Sequence, residues 1–280
     1  MVDVPSRPGL SESLVKNRRL LLLSNSRNQG QQYLEHARDQ IRDVLGNRRT
    51  ALFIPYASVI MPYDEFTANV GVVLADLGYD VHSLHRTADP RRAIAEAEAI
   101  VVGGGNTFQL LNRLYEQDLL SVIQERVAAG VPYIGWSAGA NVACPSIRTT
   151  NDMPIVETPT LNALKLVPFQ INPHFIDFRL PGDPAESKVE RLMEFVAVNA
   201  DVYVVAMRDG TMLRVDGTSI KLEGSGRVRV FVNDRDPLDF GSSDSLEFLL
   251  GHANEEFALS ESRPFGSDYA RHNPRPRRAV

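Results

Sequence analysis

The sequence predicts an α/β fold, a mostly parallel sheet with helices on both faces and a small antiparallel addition toward the C-terminus. Three observations carry this. Short apolar runs recur along the chain, each bounded by polar or glycine residues as buried strands are. Segments of helical length with one apolar side lie between them. After residue 200 the apolar runs crowd together, separated by glycine turns. Alternating strands and helices imply parallel pairing, because each crossover helix covers a sheet face.

Residues 1–18 carry Pro5, Pro8 and several charges and read as a loose leader. RLLLLSNS (19–26) is the first strand. Residues 29–46 place Tyr33, Leu34, Ile41, Val44 and Leu45 mostly on one side, which predicts a helix. TALFIPYAS (50–58) is the second strand, and residues 63–78, with Phe66, Val70, Val73, Leu74 and Leu77, form the helix after it. DVHSLHR (80–86), AIVVGGG (99–105) and VPYIGWS (131–137) are further strands. Residues 106–129, rich in Leu, Gln, Glu and Arg, predict two helices. VYVVAM (202–207), TMLRV (211–215), SIKLEG (219–224) and RVRVFVN (227–233) predict the antiparallel addition. The implied organisation is one domain over 19–240 with a C-terminal extension over 241–280. Five arginines and three prolines in the last twenty residues predict a disordered tail.

The chain has 280 residues, 43% hydrophobic and 23% charged, enough to bury a sizeable core. A net charge of -5 argues against general affinity for nucleic acid. Cys144 is the one cysteine, so no intrachain disulfide forms and a reducing compartment is compatible. Leu20 to Leu23 is too short for a signal-peptide core. No stretch approaches the roughly 18 apolar residues of a membrane span. The expectation is a cytoplasmic protein with neither nucleic acid nor membrane as partner.

In open α/β sheets, sites form beyond the carboxyl ends of the strands. Two glycine-marked strand ends stand out. VVGGGNTF (101–108) brings free N–H groups toward one spot where a helix begins, as a phosphate site or an oxyanion hole needs. It is neither a P-loop nor a full GxGxxG, and a plain tight turn would also explain it. YIGWSAGANVACP (133–145) contains Gly135-x-Ser137-x-Gly139. In a strand–turn–helix setting this is a nucleophile elbow; the bland alternative is a capping serine. The elbow reading aims the Ala138 N–H at a developing oxyanion, with a second N–H from the glycine turn, Gly105.

A serine nucleophile needs a base. His174, in QINPHF, follows an apolar run and is the best placed of six histidines. The orienting carboxylate is open between Asp152, in RTTNDMP, and Asp209, in AMRDGT. Cys144 lies seven residues after Ser137 and reads as a small buried residue. No Cys/His cluster has zinc spacing, so neither a metal nor another cofactor is required.

Four ordered segments, VVGGGNTFQLL, YIGWSAGAN, ACPSIRTTNDMPIV and QINPHF, resemble the S51 family of serine peptidases, the aspartyl dipeptidases. The resemblance runs from about residue 19 to about 235. It implies a class I glutamine-amidotransferase-like, flavodoxin-like fold and metal-independent removal of N-terminal aspartate from dipeptides. It also implies Ser137 as nucleophile, His174 as base, and an oxyanion hole from the Gly103–Gly105 turn and Ala138. Asp152 falls in a family motif near the site and is a supporting candidate. The implied partners are small Asp-Xaa peptides, and a homodimer is compatible. The sequence departs from the family twice. Asp209 stands where a glutamate is usual. Ala185, Glu186, Ser187 and Lys188 replace a Gly-Glu-Thr-Arg stretch implicated in holding the substrate's side-chain carboxylate. Lysine keeps the charge but loses the bidentate fork. Arg148, Arg179 and Arg191 are alternative partners for that carboxylate. Two rival readings stand beside this one: a related serine hydrolase with an altered substrate, cyanophycinase-like or an esterase, and a non-catalytic flavodoxin-like binding module.

Overall fold

The computed structural model describes residues 10–177 and 186–251. In chain order its elements are α1 (Glu12–Asn17), β1 (Arg19–Leu23), α2 (Arg38–Leu45), β2 (Thr50–Ile54), α3 (Tyr63–Asp76), β3 (Asp80–Ser83), α4 (Pro90–Glu96), β4 (Ile100–Val102), α5 (Thr107–Glu116) and α6 (Leu120–Ala128). They continue with β5 (Tyr133–Trp136), α7 (Ala138–Asn141), β6 (Gln170–Asn172), α8 (Lys188–Val198), β7 (Val204–Met207), β8 (Thr211–Asp216), β9 (Ser219–Gly224), β10 (Val228–Phe231) and β11 (Leu238–Phe240).

The main sheet has the order β3-β2-β4-β5-β1-β8-β9. Its first five strands are parallel. β8 and β9 extend the edge beyond β1 in antiparallel sense. The unbroken Leu20–Leu23 run is explained by burial on both faces. Leu20 and Leu22 pack with Ile54, Val102 and Tyr133, while Leu21 and Leu23 pack with Phe53, Val101 and Trp136.

The fold class is the one the sequence predicts, with one refinement. The four strands after residue 200 do not form one ribbon. β8 and β9 join the main sheet, while β7 and β10 enter a second sheet of order β11-β10-β7-β6, where β6 runs parallel to β7. The turn between β7 and β8 carries the chain from one sheet to the other.

Other differences have local causes. Residues 12–17, within the predicted loose leader, form α1. Ser11 accepts from the Leu14 N–H, Leu14 is buried, and Asn17 donates to the Ala128 carbonyl at 2.9 Å. The helix expected over 29–46 is confined to α2 and a preceding 3-10 turn, because Leu34 adopts φ +54°. α4 begins at an Asp89 cap with Pro90 in the first turn, and α8 at a Ser187–Glu190 capping box. The expected disordered tail lies outside the described residues.

Parallel β1, β4 and β5 end at one edge, with Val102 opposite Gly135 and Leu23 opposite Trp136. Ser24, Gly103 and Ser137 therefore emerge together. From the second sheet, His174 comes after β6 and Asp209 after β7.

Candidate active site

Ser137 occupies the turn from β5 into α7 at φ +52° and ψ −110°, a conformation that non-glycine residues rarely adopt. Its surroundings hold it there. The Ser137 N–H donates to the Leu23 carbonyl at 3.0 Å, and its own carbonyl accepts from Asn141 at 2.9 Å. The flanking glycines let backbone meet backbone. A Cβ at Gly135 would stand 2.4 Å from the Gly139 carbonyl oxygen, and one at Gly139 would stand 2.3 Å from that of Val102. The Ser137 side chain caps nothing, which removes the capping alternative. Its Oγ lies 2.9 Å from His174 Nε2 instead.

His174 Nδ1 lies 2.8 Å from Asp209 Oδ1. With the carboxylate ionised, Nδ1 carries the proton and Nε2 is free to accept from the serine hydroxyl. The hydrogen bond from His174 is the main cause holding the Asp209 carboxyl below the usual carboxylate range, against partial burial; Ser24 and Lys188 act in the same direction. The side chains of His174 and Asp209 remain 42% and 57% exposed, so the site is open to a ligand.

Of the two candidate carboxylates, the structure brings Asp209 to the imidazole. Asp152 Oδ2 instead accepts from the N–H of Thr107 at 2.7 Å, from the Thr107 hydroxyl at 2.5 Å and from Thr150 at 3.2 Å. It thereby ties the loop after α7 to the first turn of α5.

That turn lies directly beside the serine. A Cβ at Gly104 would meet the Ser137 Cβ at 3.1 Å. Gly105 has φ +137°, and a Cβ there would stand 2.2 Å from the Ala57 carbonyl oxygen. Gly103 donates to Ile54 at 3.1 Å and Asn106 to Ala57 at 2.8 Å, which clamps the turn at both ends. Ala138 is the first residue of α7, so its N–H has no intrahelical acceptor. The glycine turn and the start of α7 thus flank Ser137.

The cations divide. Lys188, at the start of α8, donates from Nζ to the His174 carbonyl at 2.8 Å, and burial pushes its amine down. Arg148 sits at the other end of that helix. It donates to Asn199 Oδ1 at 2.9 Å and to Ser146 Oγ at 3.2 Å, and lies 5.3 Å from the Phe195 ring centroid. Arg191 pairs with Glu186 at 3.1 Å on the surface. Arg179 lies outside the described residues. Among the described residues, no group of three or more His, Cys, Asp or Glu could hold a metal ion. Cys144 is fully buried, and burial pushes its thiol up, as expected for an inert packing residue.

Ser24 is a site residue that the sequence motifs do not reveal. Its Oγ accepts from the His174 N–H at 2.9 Å and lies 3.0 Å from the Met207 carbonyl and 3.3 Å from Asp209 Oδ1. Asn25 Oδ1 accepts from Gly210 at 2.8 Å. These two residues join the end of β1 to the turns bearing both His174 and Asp209. The signal available was the polar SNS at a strand's carboxyl end.

A serine on a strained strand–turn–helix, linked to histidine and carboxylate beside a glycine turn, defines a serine hydrolase of α/β architecture. Residues 20–223 match the sequence profile of peptidase family S51. A peptidase E of Nostoc sp. (strain PCC 7120) is 44% identical over 239 residues, covering 85% of this chain and 99% of that protein. A peptidase E of Shewanella denitrificans is 45% identical over 230 residues, covering 82% and 98%. The crystal structure of a peptidase from an acI-B1 Actinobacterium shares the fold, with a TM-score of 0.62 at 17% identity over 82% of this chain and 96% of that one. The chain belongs to peptidase family S51, and it is a serine peptidase.

Proposed function

We propose that the protein hydrolyses dipeptides with an N-terminal aspartate, using Ser137 as nucleophile, His174 as base and Asp209 as the orienting carboxylate. One observation carries the mechanism: the continuous line from Ser137 Oγ through the imidazole to Asp209, with contacts of 2.9 and 2.8 Å. The kinship with peptidase E proteins supports the substrate class.

His174 Nε2 takes the Ser137 hydroxyl proton as Oγ attacks the peptide carbonyl carbon. The developing oxyanion sits against the N–H groups of Ala138 and Gly105, where fixed donors act without reorganising. The imidazolium returns its proton to the leaving amine, and an aspartyl ester remains on Ser137. Water, deprotonated by His174, cleaves that ester and frees aspartate. Every step is acid–base or acyl chemistry that side chains supply. Lys188 gives one ammonium proton to the His174 carbonyl and has two more for the substrate's side-chain carboxylate. We assign that role to Lys188 rather than to Arg148, which is engaged at the far end of α8. We infer a cytoplasmic setting, with which the single cysteine, Cys144, is compatible.

A fluorophosphonate probe and the Ser137→Ala variant test the mechanism together. The probe labels wild type at Ser137 and leaves the variant unmodified, and kcat for Asp-Leu falls by several orders of magnitude. Near-normal turnover in the variant overturns the assignment.

A further inference from the structure

We infer that an open groove beside the triple-glycine turn is the subsite for the leaving residue, and that it selects an apolar side chain there. This rests on the aspartyl dipeptidase reading and extends it to the residue on the C-terminal side of the aspartate.

The groove, of about 660 Å³, is lined by Val59, Ile60 and Met61 on one wall, by Ile155 and Val156 on the other, and by Gln109. Its lining contains no Lys, Arg, Asp or Glu. Ile60 is 96% exposed and Ile155 50%, whereas most other large apolar side chains among the described residues are buried. Exposed apolar side chains thus converge from two loops on one uncharged depression, the kind of surface that takes an apolar ligand group.

Both walls are anchored to groups that surround Ser137. The first continues directly from Ala57, whose carbonyl abuts Gly105 and accepts the Asn106 N–H at 2.8 Å. Ser58 holds this wall in shape by donating to the Met61 carbonyl at 2.7 Å. The second wall is pinned twice. The Met153 carbonyl accepts from Asn106 Nδ2 at 2.9 Å, and Asn151 Nδ2 donates to the Pro173 carbonyl at 2.6 Å, next to His174. Gln109 lies one helical turn beyond Asn106, whose side chain accepts from its N–H at 3.0 Å.

The site is therefore polarised about Ser137. Lys188 and Asp209 stand on the His174 side, and the uncharged groove stands on the glycine-turn side. A scissile bond at Ser137 with its oxygen on Gly105 and Ala138 places the aspartyl residue toward Lys188. The leaving residue then crosses the glycine turn toward Val59–Met61 and Ile155. An apolar pocket discriminates by about 10- to 200-fold in kcat/KM per methylene. An open one works at the lower end of that range.

The test compares kcat/KM for Asp-Leu and Asp-Gly in wild type, Met61→Ser and Ile155→Asn, with sedimentation velocity on each. Wild type favours Asp-Leu by about tenfold or more. Each variant lowers that ratio several-fold, and the sedimentation coefficient stays the same. A wild-type ratio near one, or an unaltered ratio in both folded variants, overturns the inference. So does an unaltered ratio with a changed sedimentation coefficient, which would make the groove a surface for a second copy of the chain. Failure of wild type to cleave either dipeptide overturns the aspartyl dipeptidase reading itself.

Discussion

Asp209 lies 2.8 Å from the imidazole through one oxygen, and the same oxygen lies 3.3 Å from Ser24 Oγ. Its carboxyl is held below the usual range in the folded protein, first by the His174 hydrogen bond. A lowered folded-state pKa means that ionised Asp209 stabilises the fold fully above the ordinary carboxylate value of about 4. That contribution is lost as pH falls through the lower folded value. Urea unfolding of wild type and Asp209→Asn should therefore show the larger stability difference at pH 6 and a smaller one near pH 3. A difference that grows on acidification would contradict the assignment. At this scale the sequence is partly legible. Gly135, Ser137 and Gly139 carry a local pattern that spacing alone reveals. Asp152 and Asp209 both sit in ordinary turns, and only the pairing of β6 with β7 decides which reaches His174. Ser24 acts on main-chain groups of residues 174 and 207, a relation that no short sequence window contains.

The triple-glycine turn shows how one element depends on another. Asp152 accepts from the Thr107 N–H across 45 residues of chain and so holds the turn against Ser137. Asp152→Ala leaves the Thr107 N–H and hydroxyl without their acceptor and should cost about 1–3 kcal/mol of stability. It should also lower kcat, because the Gly105 N–H loses its fixed position. Gly105→Ala should lower kcat further, since its Cβ would stand 2.2 Å from the Ala57 carbonyl oxygen at φ +137°. Thermal melts and steady-state kinetics on both variants check this. Full kcat in Gly105→Ala would show that the turn takes no part in the reaction. Apolar runs announce the main-sheet strands because burial on both faces demands continuous hydrophobicity. The apolar runs do not announce α8, whose signal is the capping box of Ser187 and Glu190. The apolar stripe over 29–46 hides the break at Leu34, since a leucine carries no mark of a left-handed backbone.

In the whole molecule, the site is assembled from two sheets. Ser137 and the glycine turn belong to the main sheet, and His174 and Asp209 to the second. One core cluster joins them, with Leu20, Leu22 and Val102 packed in the same body as Ile171, Val205 and Met207. The division of the last strands between two sheets is not legible in sequence, because glycine turns look alike whether they close a hairpin or pass the chain across. Function is legible at this scale only through the ordered motifs taken together. The central claim is that this assembly releases N-terminal aspartate without a metal. The direct measurement is free aspartate produced from Asp-Leu, with Leu-Leu and β-Asp-Leu as controls, for wild type and Ser137→Ala in EDTA. Rapid release from Asp-Leu alone, abolished in the variant, is the predicted result. Release that survives in Ser137→Ala, or a folded wild type that leaves Asp-Leu intact, would contradict it.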